Sequence, residues 1–138
     1  MTIKISSTGL PLPADATDHA AVLYPNGLMV AVGAFDKPMT AATAEMAVTE
    51  LNHAGTTGWR LPTVAELVSL VDYLRHRPAT DPALYPDAQS SWYWTGTPCA
   101  WSPGRVWVVN FDGGNVNDGS RGAQAFVRPV RSVLPAGQ

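Results

Sequence analysis

Two short stretches hold most of the residues able to do chemistry. The first reads Asp112-Gly113-Gly114-Asn115-Val116-Asn117-Asp118-Gly119-Ser120-Arg121. Asp112 and Asp118 supply carboxylates, and Asn115 and Asn117 supply amide oxygens. These are hard oxygen ligands of the kind that hold Ca²⁺. The same residue types also build ordinary turns, which is the stronger reading. The second stretch is Cys99-Ala100-Trp101-Ser102-Pro103-Gly104-Arg105. A large aromatic set among Ser, Pro and Gly reads as a loop residue. Its rigid ring offers contact area at little entropic cost, as a ligand anchor does. Arg105 and Arg121 add guanidinium forks suited to planar acceptors. The candidate ligand-binding residues are therefore Trp101, Arg105, Asp112, Asn115, Asn117, Asp118 and Arg121.

Other chemistries find little support. Cys99 is the one cysteine, so no intrachain disulfide or two-thiol centre can form, and a lone thiol is usually a packing residue. His19, His53 and His76 are scattered and show no zinc-ligand spacing. There is no nucleophile elbow, phosphate-binding glycine loop or dinucleotide fingerprint. We expect no catalytic residues, no metal ligands and a protein that is not an enzyme. His76 between Arg75 and Arg77 suggests an anion patch, but a solvated helix end is the plainer account. Charged residues make up 14% of the chain and the net charge is −2, which argues against a nucleic-acid partner. No apolar run is long enough to enter a membrane. Residues 1–10 lack the apolar core of a secretory signal, so a host cytoplasm or a virion is the expected location.

These residues need elements to position them. With 138 residues, one domain with a real core is expected. Residues 1–20 read as an extended arm with a short strand at 3–6, able to cross the surface or reach a neighbouring subunit. Ala21–Tyr24 and Leu28–Val32 flank Pro25-Asn26-Gly27, a hairpin signal, and Leu28–Val32 is apolar on both faces, like a central strand. Residues 40–54 read as a helix with Thr40 as N-cap and Gly55 closing it. Thr63 and Glu66 have capping-box spacing, and Leu67, Leu70, Val71 and Leu74 form one stripe, which predicts a second helix over 64–75. Residues 76–91 read as a surface loop. Strands follow at Trp92–Thr95, Arg105–Phe111 and Ala125–Arg131, with a short return strand from Val116. Pro129 marks an edge or bulge. Trp59, Trp92, Trp94 and Trp107 are expected in the core, and the whole is an α+β fold of a single domain over 21–138.

One ordered set of motifs adds a resemblance. Asn26-Gly27-Leu28-Met29, Gly58-Trp59-Arg60-Leu61-Pro62-Thr63 with Glu66-Leu67, Tyr93-Trp94-Thr95, Val106–Phe111 with Gly113-Gly114, and Phe126–Arg131 run in sequence. The set resembles the bacterial and phage domain family typified by the C-terminal domain of the Lcl collagen-like adhesin, over about residues 20–133. The resemblance implies a C-type-lectin-like fold, related to formylglycine-generating proteins, with two helices on a twisted, mostly antiparallel sheet. It implies that the terminal strands lie close together and that long loops, here 95–105 and 112–124, form a ligand surface. It implies structural roles for Arg60, Arg128 and Arg131. The sugar-binding triplets of calcium lectins (Glu-Pro-Asn, Gln-Pro-Asp, Trp-Asn-Asp) are absent. The expected function is non-enzymatic recognition of a host surface glycan or protein by a phage or prophage product. The alternatives are an intracellular inhibitor of a host defence protein, a secreted-type adhesin module and, least favoured, an oxidase related to formylglycine generation. A homotrimer, or docking on a larger particle, would suit the arm.

Overall fold

The structure, a computed structural model, describes residues 2–133. Residues 1 and 134–138, the ends of the expected arm and domain, lie outside them. The elements in chain order are β1 (Ile3–Ile5), β2 (Pro11–Leu12), β3 (Ala21–Leu23), β4 (Leu28–Ala31), α1 (Ala41–Thr49), α2 (Val64–Val68), β5 (Trp92–Cys99), β6 (Ser102–Asn110), β7 (Val116–Ser120) and β8 (Val130–Ser132). They make an α+β fold with a five-stranded sheet, β2-β1-β3-β4-β8, and a three-stranded sheet, β5-β6-β7. Every named strand pair is antiparallel.

The predicted hairpin is β3–β4. Asn26 Oδ1 accepts from the Leu28 amide at 3.0 Å, and Gly27 has φ +88. A Cβ on Gly27 would lie 2.5 Å from the Val133 carbonyl oxygen, so the turn needs glycine for its backbone angle and for the approach of the C-terminal segment. All four residues of β4 are buried, and β3 and β8 pair on either side. That is the central strand its two-faced apolarity predicts.

The N-terminal segment corrects the expectation of an arm. β1 pairs with β3 and β2, Ile5 is buried, and the Lys4 ammonium donates to the Ala16 carbonyl. The short strand expected at 3–6 forms as Ile3–Ile5. Its hydrogen-bond partners are distant, and the segment is part of the sheet. The expected closeness of the terminal strands is met only loosely: β1 and β8 share a sheet, with β3 and β4 between them.

Both helices are capped as the sequence indicates but stop early. Thr40 caps α1 by accepting from the Thr43 amide, and the helix ends at Thr49 instead of 54. Gly55 is therefore not its C-terminal glycine. It serves the His53–Thr56 turn, at φ +73, where a Cβ would meet the Thr8 carbonyl at 2.8 Å. In α2 the capping box forms in full: Glu66 N–H donates to Thr63 Oγ1 and Thr63 N–H to Glu66 Oε1, at 3.1 and 2.9 Å. The helix ends at Val68 instead of 75. The Leu70 and Val71 amides bond three residues back, and the Asp72 amide leaves the helix for the Ala79 carbonyl. Leu67 and Leu70 are buried as predicted, whereas Leu74 is 96% exposed. Arg75, His76 and Arg77 thus lie beyond the helix, and both arginines are already paired, with Asp72 and Asp112.

Three apolar clusters hold the layers together. One joins Val22 and Val30 to Leu67, Tyr93 and Val109. A second seats Ala41, Ala44 and Val48 of α1 on Trp94, Val106 and Val108. The third surrounds Trp59 with Ile5, Ala21 and Met29. Trp59 Nε1–H donates to the Thr56 carbonyl at 3.1 Å, and Arg60 exchanges backbone bonds with Val130. The Arg60 guanidinium grips Glu66 with two bonds of 2.7 and 2.8 Å. Helix start and sheet edge are locked at one point.

Candidate recognition surface

The strands β6 and β7 frame the candidate residues. Asn110 N–H donates to the Asn115 carbonyl at one end, and Arg121 N–H to the Gly104 carbonyl at the other. By alternation, Asn117 and Gly119 turn their backbone groups toward β6, while Val116, Asp118 and Ser120 turn theirs to the open edge. That edge is largely occupied. The Asp118 amide donates to Asn117 Oδ1, the Asp118 carbonyl accepts from Arg105 Nη2, and the Ser120 carbonyl accepts from the Ala123 amide. Such cover keeps an edge strand from recruiting another chain.

The expected loops are mostly strand. Residues 95–105 form the end of β5, a tight turn and the start of β6; β7 occupies the middle of 112–124. Two prolines, Pro98 and Pro103, fall within this hairpin. The register shifts around Pro98 absorb the first, and Pro103 sits beside the hairpin turn. At the C-terminal end only 130–132 is strand: Ala125, Phe126 and Val130 make single bridges to Met39, Tyr93 and Arg60. Pro129 does precede an edge strand, and its carbonyl accepts from Ala31 N–H at 2.9 Å.

The seven predicted contacts fall into three groups. Trp101 occupies the β5–β6 turn and is 70% exposed. Its ring stands edge-on to Trp107, with centroids 5.3 Å apart and planes at 83°. Trp107, expected in the core, is only half-buried. Arg105 and Asp118 lie on the same face of the sheet, joined as an ion pair. The hydrogen bond from Arg105 holds the Asp118 carboxyl below its ordinary range. Asn117 and Arg121 belong to the opposite face. Arg121 donates to the Pro103 carbonyl and to Glu45, and its own carbonyl accepts from the Ala41 amide, tying β7 to α1. Asp112 and Asn115 sit in the β6–β7 turn, about 30 Å along the strand from Trp101 at ~3.4 Å per residue.

This separation also dissolves the calcium set. Asp112 pairs with Arg77, Asp118 with Arg105, and Asn117 and Asp118 alternate to opposite faces. Among the described residues no group of three or more His, Cys, Asp or Glu could hold a metal ion. Cys99 is buried. His19 and His53 bond backbone carbonyls of Leu84 and of Ala20 and Val32. Arg128 bonds the Ala31 carbonyl and Asp87, and Arg60 bonds Glu66. Arg131 shows no comparable tie: its buried Nε has no partner among the described residues.

On the face opposite Trp101 lies a cleft of about 200 Å³, lined by Trp92, Trp94, Asn117, Gly119, Gln124 and neighbours. Reading the sequence alone missed Trp92 and Gln124. Trp92 was expected in the core and is half-buried, while Gln124 carries no motif at all.

The fold and this surface define an α+β domain with a β-rich half that presents aromatic and polar side chains on both faces. The model of the Lcl C-terminal domain family matches residues 15–131, and the chain belongs to that family. No curated protein matches it.

Proposed function

We propose that this chain is a non-enzymatic recognition module with a C-type-lectin-like fold. It is a phage or prophage product that binds a host surface glycan or protein. The reading is carried by Trp101, a large indole left 70% exposed yet held edge-on by Trp107. A fixed, solvent-facing aromatic loses little entropy on binding and has the character of an interface hot spot. The Arg105–Asp118 pair beside it supplies a polar rim. Two helices packed against antiparallel sheets, with both terminal strands in one sheet, support the fold assignment. The binding surface is thus a strand face and hairpin tip.

Labelled full-length protein and its Trp101→Ala variant, applied to intact candidate host bacteria, test this. The variant should bind about thirtyfold more weakly, the loss expected for a hot spot of ~2 kcal/mol. Equal binding by the two proteins, or capture only of a cytosolic protein from lysate, would overturn the proposal.

A further inference from the structure

The cleft behind the Trp101 face has its own chemistry. Trp92 lines it beside the buried Trp94, with Asn117, Gly119 and the 123–125 segment completing the walls. Asn117 uses its Oδ1 to accept from Asp118, which leaves its two amide hydrogens free to donate. Among the described residues neither the Trp92 indole N–H nor the Gln124 carboxamide has a partner, and neither is a buried orphan, so both are open to solvent. Asp118 is the one ionisable lining residue among those described, and its carboxylate turns to the opposite face, where Arg105 pairs with it.

We infer that this cleft binds a single neutral saccharide ring. An anion finds no cation there. A cation finds no carboxylate there, since that of Asp118 turns to the Trp101 face. At about 200 Å³ the space is below the ~300 Å³ at which pockets take drug-sized ligands, so one ring fits and a rigid polycycle does not. The C–H face of a sugar ring packs on the half-exposed indole of Trp92. Its hydroxyls accept from Trp92 Nε1–H and the Asn117 amide, and both donate to and accept from Gln124. A nucleobase is less well served. It has two flat faces to cover, and Trp94, the second indole, is only 1% exposed. Gly119 keeps the floor clear: a Cβ there would approach Val108 Cγ1 at 3.3 Å and Trp94 Cζ3 at 3.7 Å. This site is independent of the Trp101 face.

Glucose, galactose, mannose and N-acetylglucosamine, each titrated into isotope-labelled full-length protein, test the assignment by nuclear magnetic resonance. At least one sugar should shift the Trp92 indole N–H and the Gln124 side-chain amide saturably, leaving the Trp101 indole signal in place. Asn117→Ala and Gln124→Ala should each weaken that binding about tenfold, the effect of one hydrogen bond left unmade. Gly119→Val should abolish it by filling the floor. Gln124 is exposed, so Gln124→Ala carries the test even if Gly119→Val fails to fold. The inference is overturned if no sugar moves these signals. It is equally overturned if adenosine moves them more strongly, or if Gln124→Ala binds as well as the parent. Trp101→Ala should leave the sugar shifts intact, which separates this site from the recognition face.

Discussion

Two arginine–aspartate pairs, Arg128–Asp87 and Arg105–Asp118, share their chemistry and differ in their surroundings. The Arg128 side chain is 6% exposed and that of Arg105 is 43% exposed. The Arg128 guanidinium lies over the rings of Tyr85 and Tyr93, 4.9 and 5.6 Å from their centroids, and bonds the Ala31 carbonyl. Asp87 also accepts from Gly33 N–H, so the pair binds the 85–89 turn to the end of β4. Burial works to raise the Asp87 pKa, but the Arg128 charge and the hydrogen bonds outweigh it and hold the carboxyl below its usual value. Arg105–Asp118 instead decorates an edge strand beside an exposed tryptophan. A charge enclosed by rings and carbonyls organises the interior. The same charge on an open face is left for a partner.

Breaking the buried pair should have the largest effect. Asp87→Ala leaves Arg128 enclosed without its counter-charge, and we expect a loss of about 3–5 kcal/mol in urea unfolding. A loss under ~1 kcal/mol would show that water reaches Arg128 and that the contrast is weaker than drawn. Acid sharpens the same point. The folded pKa of Asp87 is depressed below its ordinary 3.8, so its stabilisation is complete above that value and is lost as pH falls through the folded pKa. Asp87→Asn should therefore flatten the decline of unfolding free energy below about pH 4, read from urea titrations across pH. Parallel declines in parent and variant would count against it.

Arg60–Glu66 is as open as Arg105–Asp118, with side chains 41% and 25% exposed, but it also holds a helix start. Glu66 serves both the arginine fork and the capping box, and the bond from Arg60 lowers its pKa. Glu66→Ala should cost about 1–2 kcal/mol, the loss of a helix cap plus part of an ion pair, measured by thermal unfolding. The smallest change in stability is expected from Arg105→Ala, under about 1 kcal/mol and diminished further by salt. That variant should instead weaken partner binding. If it unfolds the protein while partner binding survives in the folded fraction, Arg105 belongs with Arg128 after all.

Much of the scaffold was legible in the residues. Capping boxes, Asn-Gly turns and two-faced apolar strands depend on neighbours a few positions apart, and local chemistry decides them. Thr40, Thr63 with Glu66, and Gly27 therefore behave as their spacing predicts. The stripe through Leu74 misled because helical periodicity continues past the point where the Asp72 amide finds Ala79. The resemblance implied a loop over 95–105, whereas a bulge that tolerates Pro98 within a strand depends on the partner strand. The candidate site was the least legible part. Seven residues close in sequence divide among two faces and a turn, since strand alternation sends neighbours in opposite directions.

The sequence alone determined the α+β class, the family motifs, the helix starts and the β3–β4 hairpin. Tertiary structure decided that residues 3–12 join a sheet, that Trp101 rests on Trp107, and that Trp92 and Gln124 meet across a cleft. The physical reason is contact distance along the chain. Caps and turns are settled within a few residues, whereas the face a side chain occupies depends on register with a strand far away, and register is fixed only when the whole sheet closes.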